Sequence, residues 1–168
     1  VYQIRNCCEP PQRVMPNRMP SWGWRETHPM VYISQKDAED YCKWLSRETG
    51  HYYRLPTIKE WELAALGGDI HVVSNERYNT ASMAWYQNAS SQNTTKTVAT
   101  KQPNKLGLYD MQGNVWEWCM GGDTGLKRPI KGGSWNRRKE AFNIFNTEFV
   151  HPETKAYNIG FRPLVIYK

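Results

Sequence analysis

Apolar residues return at intervals of three and four from Ala38 through Tyr41 and Cys42 to Leu45. That spacing lines one side of a helix and predicts one over roughly Gln35 to Arg47. Ser34 supplies a side-chain acceptor for its first turn, and Gly50 a stop. Just before it, Met30-Val31-Tyr32-Ile33 reads as a short apolar strand. Thr57 and Glu60 stand three apart, the spacing of a capping box, and predict a second helix from about Ile58 to Leu66. Gly67-Gly68 closes it.

Elsewhere the pattern is broken. Residues 1–30 show no periodicity and read as an irregular lead-in to a single domain over 31–168. Residues 69–105 are rich in Asn, Ser and Thr and predict loops, with at most a short strand at Val98. Asp110 to Trp118 alternates polar and apolar residues and predicts turns mixed with short strand. Lys127 to Lys131 leads into a Gly132-Gly133 turn. Ile159 to Tyr167 reads as a terminal strand, and Pro163 inside it requires an edge or a bulge. No internal repeat and no interdomain linker is visible.

The run Gly107-Leu108-Tyr109-Asp110-Met111-Gln112-Gly113-Asn114-Val115-Trp116-Glu117-Trp118-Cys119 sets polar and ionisable groups among residues that belong inside. Buried polar groups need partners, so the run calls for a metal ion or a dense hydrogen-bond network. With 168 residues, the chain can enclose a core of its own. Aromatic residues make up 13%, including eight Trp, and such large rigid groups can build a core with little regular structure.

The mean hydropathy of −0.77 and the absence of a long apolar run exclude a membrane span. Val1 to Ile4 lacks the basic start and apolar stretch of a signal peptide. Net charge is +6, but the cations are scattered apart from Arg137-Arg138-Lys139. A mixed solvated surface is the expectation, and no nucleic-acid partner. Vicinal Cys7-Cys8 is poor disulfide geometry, and no CxxC suggests zinc. Cys42 and Cys119 are expected to be small buried hydrophobes. Asn88 and Asn93 begin glycosylation sequons.

Several motifs taken in order resemble the formylglycine-generating enzyme, or sulfatase-modifying factor, family. They are Asp37-Ala38 with Tyr41-Cys42-Lys43-Trp44-Leu45, then Tyr53-Arg54-Leu55-Pro56-Thr57 with Glu60-Trp61-Glu62. The run from Gly107 to Trp118, then Gly132-Gly133-Ser134-Trp135 and Ile159-Gly160-Phe161-Arg162, complete the set. The resemblance implies an α+β, C-type-lectin-like fold: two helices with short antiparallel strands and much irregular loop. It also implies that Arg54 pairs with a carboxylate or carbonyls, and that Trp61, Trp116 and Trp118 fill the core.

The family's oxidase members carry two copper-binding cysteines after the Gly-Gly-Ser-aromatic turn. Aligned on that turn, those positions hold Arg137 and Phe142, neither of which can act as a thiolate ligand. The iron-dependent branch uses histidines, but His28, His51, His71 and His151 are dispersed. Ser134 has no acid-base partner nearby in sequence. A non-catalytic branch includes variable ligand-binding proteins of diversity-generating retroelements, whose changeable face lies between this turn and the terminal Gly-Phe-Arg. The corresponding segment here is Asn136 to Asn158. Asn143 and Thr147 depart from that branch, which usually carries arginines within the segment. A further non-catalytic group serves in bacterial gliding and secretion machinery.

The resemblance therefore implies a non-catalytic ligand-binding or assembly domain of phage or bacterial-surface kind. The alternatives are a structural subunit of a virion or envelope assembly, and a metal-dependent oxidoreductase or sulfatase-modifying enzyme. Its partner would be a protein or surface receptor, or neighbouring subunits, in an extracellular, envelope or virion setting. The expected surface comprises Trp135, Asn136, Arg137, Arg138, Glu140, Phe142, Ile144, Asn146, Glu148, Phe149 and His151. Trp135, Phe142 and Phe149 would anchor a partner and Arg137 and Arg138 orient it. By the same resemblance a structural calcium would be held by the Asp110 and Glu117 side chains and the Gly113 and Val115 carbonyls, hard oxygen donors suited to that ion.

Overall fold

The computed structural model describes residues 18–69, 71, 80–87, 93–121, 125–138 and 142–167. Cys7, Cys8, Asn88, Lys139, Glu140 and the first part of the expected lead-in lie outside the described residues. From 18 to 30 the chain makes turns without helix or strand.

Both expected helices form. Helix α1 spans Gln35–Thr49. Ser34 accepts from the Asp37 amide, and Asp37 returns a bond to the Ser34 amide, so two orphan donors of the first turn are satisfied. Gly50, at φ 74°, ends the helix in a left-handed turn that a side chain resists. Helix α2 spans Ile58–Ala65 and has the predicted Thr57–Glu60 capping box. A four-residue helix, α3, covers Thr80–Met83.

The strands are short: β1 Tyr52–Arg54, β2 Ala84–Trp85, β3 Gln112–Gly113, β4 Trp116–Trp118, β5 Arg128–Lys131, β6 Glu148–Val150, β7 Ile159–Phe161 and β8 Leu164–Ile166. A four-stranded sheet runs β6-β5-β4-β7, while β1-β8 and β2-β3 form separate pairs. The fold is α+β as expected, but the pairing is mixed: β4 runs parallel to β7, and β2 to β3.

Three local expectations are corrected. The predicted terminal strand is two strands in different sheets, because Arg162-Pro163 breaks it between β7 and β8. Met30 to Ile33 joins no ladder; Tyr32 sits at φ 58° and its amide donates to the Ala156 carbonyl instead. Val98 lies in a turn, its amide bound to the Thr27 carbonyl.

The two larger apolar clusters among the described residues lie in the interior. One joins α1 to the large sheet through Ala38, Cys42, Leu55, Trp116, Trp118, Ile130 and Ile159. The other gathers Trp61, Ala65, Met111, Cys119 and Ile144 around α2. The Trp118 indole is fully buried and donates to the Ile33 carbonyl at 3.1 Å, so its one polar group is satisfied. Truncating such an indole to alanine costs about 3–5 kcal/mol. These clusters hold β4, β5 and β7 rigid beneath the two features that follow.

Candidate recognition face and the buried carboxylate cluster

Strand β4 carries Glu117 into the interior, and the parallel pairing of Glu117 with Gly160 brings Arg162, two residues on, alongside it. Arg162 Nε lies 3.1 Å from Oε1 and 3.0 Å from Oε2, and Nη2 lies 2.7 Å from Oε1. Trp61 Nε1 donates to Oε2 at 2.7 Å. Arg162 Nη2 also donates to the Tyr109 carbonyl at 2.9 Å, tying in the start of the motif run. An ionised carboxylate has about four lone-pair directions, and here both oxygens already accept twice.

Asp110 is different. It adopts φ 54°, and its Oδ2 accepts from the Ala99 amide at 2.8 Å. Its Oδ1 is buried and has no partner among the described residues. Burial raises its pKa above the ordinary carboxylate range, against the pull of the Ala99 amide and the Arg162 charge. The expected calcium ligands are thus unequal. Asp110 offers an open oxygen, whereas Glu117 would have to give up a bond to Arg162 or Trp61. Among the described residues no group of three or more His, Cys, Asp or Glu gathers to hold a metal. The residues fit an ion through Asp110 and do not fit one through Glu117 as it stands. Gly113 serves the backbone here: at φ 81°, a Cβ on it would overlap the Trp85 carbonyl.

The segment after β5 begins from a buried anchor. Lys131 is fully buried, and its Nζ donates to Glu62 Oε1 at 2.8 Å, the Asn146 carbonyl at 2.8 Å and Thr147 Oγ1 at 3.2 Å. All three ammonium protons have acceptors, which is what burial of the charge requires. Burial lowers the Lys131 pKa, with Glu62 opposing. The bonds fix residues 146 and 147 against α2.

Beyond Lys131 the chain turns through Gly132-Gly133, and Ser134 Oγ lies 2.6 Å from Asn136 Oδ1. Asn158 Nδ2 donates to both, at 3.3 Å each, and Asn136 Nδ2 donates to the Tyr157 hydroxyl at 3.1 Å. Arg137 Nη2 holds Glu148 at 2.8 and 3.0 Å, and its carbonyl accepts from the Gln87 amide. The structure thus brings Asn136, Arg137, Glu148 and Tyr157 together. Arg138 and Asn146 are exposed, and Phe149 is half-buried. His151 is exposed past the far end of β6, its Nδ1 accepting from the Glu153 amide.

Two expected anchors, Phe142 and Trp135, and one expected surface residue, Ile144, lie inside. Ile144 is 2% exposed and belongs to the core around α2. Phe142 is 7% exposed and packs so close to Gly133 that a Cβ there would lie 2.6 Å from its ring. Trp135 is also 7% exposed, wedged between Trp22 and Tyr157 at ring separations of 5.9 and 5.8 Å. Burial beside Gly133 is the lower free-energy position of the apolar Phe142 ring, whereas the buried Trp135 indole N–H has no partner among the described residues. Among the described residues of 136–158, the exposed aromatics are Phe145 and Tyr157 instead, at 38% and 40%. No local signal marks them out: Phe145 stands beside Ile144 and between Phe142 and Phe149, and Tyr157 is followed by Ile159 and Phe161.

Among the described residues, Ser134, Cys42 and Cys119 are poorly placed for nucleophilic chemistry. Ser134 is fully buried against amide side chains, with no base among its hydrogen-bond partners. Cys42 and Cys119 are buried free thiols; burial pushes Cys42 up to about 12 and Cys119 up as well, so neither yields thiolate near neutral pH.

A family described as the sulfatase-modifying factor enzyme 1-like domain matches residues 4–166. The chain belongs to this family. It is 31% identical to the formylglycine-generating enzyme of Streptomyces coelicolor over 82% of this chain and 52% of that protein. It is 30% identical to the inactive Cα-formylglycine-generating enzyme 2 of Bos taurus over 85% of this chain and 52% of that one. The chain therefore spans about half the length of these relatives. Among solved structures, Treponema denticola variable protein 1 superposes with a TM-score of 0.72 at 23% identity, covering 90% of this chain and 78% of that one. At that identity the likeness is one of fold.

Proposed function

We propose that this domain is a non-catalytic recognition or assembly module whose contact face centres on Asn136, Arg137, Glu148 and Tyr157, with the exposed Arg138 next in the chain. The observation that carries the reading is the framing of that face. Lys131 fixes its base, the Ser134–Asn136–Asn158–Tyr157 network orders its polar groups, and a half-exposed tyrosine and two arginines are left at the surface. Aromatic and arginine side chains on a rigid support are the usual carriers of binding energy, because little entropy remains to be lost. Arg137 and Phe142, where the oxidase branch has cysteines, support a non-catalytic role, as does the existence of an inactive relative. The partner would be a protein surface, either a separate ligand or a neighbouring subunit. Calcium enters the proposal as a structural ion on the Asp110 side of the run.

The test is a photo-crosslinking residue placed at Arg138 in the native host. One discrete adduct, lost on Arg137→Glu and Tyr157→Ala with folding retained, is the expected result. An adduct with another copy of the chain would assign assembly, and one with a different protein would assign ligand capture. Absence of any adduct, or an adduct indifferent to both substitutions, would refute the face.

A further inference from the structure

A second concavity lies apart from this face, and none of its lining residues belongs to it. It has a volume of about 170 Å³ and opens between α2 and the segment through β8. Trp61, Ala64, Leu108 and Met111 form one side, and Leu164 and Val165 the other. A dry apolar cavity of about 150 Å³ is large enough to take a benzene ring.

Two ionisable groups reach this otherwise apolar space, Glu60 and Arg162. Glu60 is already neutralised. Its Oε1 accepts from Arg54 Nη2 at 2.6 Å, and its Oε2 from Arg54 Nη1 at 2.7 Å and the Thr57 amide at 2.8 Å. Arg162 is only partly committed. It grips Glu117 side-on through Nε and Nη2, which leaves Nη1 with no hydrogen-bond partner among the described residues. Arg162 lines the cavity, and a planar guanidinium held rigidly by one carboxylate can receive a second oxygen on its remaining nitrogen with little ordering to be done.

We infer that this cavity is a ligand site for a small apolar carboxylic acid, its ring or branched chain between Trp61 and Leu164 and its carboxylate on Arg162 Nη1. The size admits one ring, and the donor set selects an acceptor. An ammonium of the same size would find no open acceptor, because Arg162 only donates and Glu60 is already satisfied. The inference is independent of the recognition face.

Phenylacetate titrated into the whole protein tests it, followed by the NMR signal of the Trp61 indole N–H. A saturable shift is expected, with phenethylamine at least tenfold weaker. Ala64→Trp fills the cavity from α2 and should abolish the shift; Val165→Trp fills it from the opposite wall and serves if the first variant does not fold. A short peptide ending in a free phenylalanine carboxylate separates the two sources of such an acid. Displacement of phenylacetate assigns a chain terminus, and no displacement assigns a free metabolite-sized acid. No saturable shift with phenylacetate, equal binding of phenethylamine, or undiminished binding in a folded plugged variant overturns the inference.

Discussion

Arg162 Nη2 lies 2.7 Å from Glu117 Oε1, across the parallel pairing of β7 with β4, and both side chains are largely withdrawn from water. This pair joins two motifs of the family pattern, the Trp-Glu-Trp run and the terminal Gly-Phe-Arg. Taking both charges out of water is expensive, so their net contribution to stability is small, but removing one partner leaves the other stranded. Arg162→Leu should therefore lower unfolding free energy by about 3–5 kcal/mol. The double variant with Glu117→Leu should recover part of that loss. Urea denaturation of both variants checks the coupling, and additive effects would contradict it.

Phe142 and Arg138, both after the Gly132-Gly133 turn, behave oppositely. Phe142 is buried against Gly133 and near Tyr86, so Phe142→Ala should cost about 3–5 kcal/mol. Arg138 is exposed, and Arg138→Ala should change stability by no more than about 0.5 kcal/mol. Thermal melts of the two variants separate interior from face. A mild Phe142→Ala would return that ring to the contact surface.

What the chain disclosed in advance follows from the range of each interaction. Helices α1 and α2 were legible because their signals are local: the Ala38 to Leu45 stripe, and the Ser34 and Thr57 caps, act within one or two turns, whereas the four-residue α3 fell in a stretch expected to be loop. Strands of two to four residues are too short to show a period, so β1 was missed and β7 merged with β8. The network at Asn136 and Tyr157 joins residues 21 apart, and the Lys131 anchor to Glu62 residues 69 apart. No local pattern encodes such contacts. The exposure of Trp135 and Phe142 was misjudged for the same reason, since a glycine's neighbour in space is invisible in one dimension.

Acid should weaken the α2 cap before it unfolds the core. The Arg54 guanidinium, helped by the Thr57 amide and hydroxyl, holds the Glu60 carboxyl at about 2, below its ordinary 4.5. A carboxyl whose folded pKa is depressed adds stability that is complete above the unfolded value and lost as pH falls through the folded one. The contribution is present above about pH 4.5 and disappears toward about pH 2. Because the pair is partly exposed, solvent and salt reduce its size. Melts of the protein and of Glu60→Gln should differ at pH 6 and converge at pH 2; a gap that persists at pH 2 would assign the difference to packing.

Asp110 decides whether calcium is part of the structure. Without a cation, its buried Oδ1 lacks a partner and burial disfavours its charge. Asp110→Asn then removes a penalty and should leave the melting temperature unchanged or higher. With calcium bound, the same substitution removes a charged ligand and should lower both ion content and melting temperature. Elemental analysis of the purified protein, with melts in calcium and in chelator, gives the answer for both forms. The proposal expects one calcium per chain, a fall in chelator, and no such fall for Asp110→Asn. A chelator-insensitive protein that Asp110→Asn stabilises would show that Arg162 and Trp61 alone satisfy the run, and that Asp110 remains an unpaired acceptor.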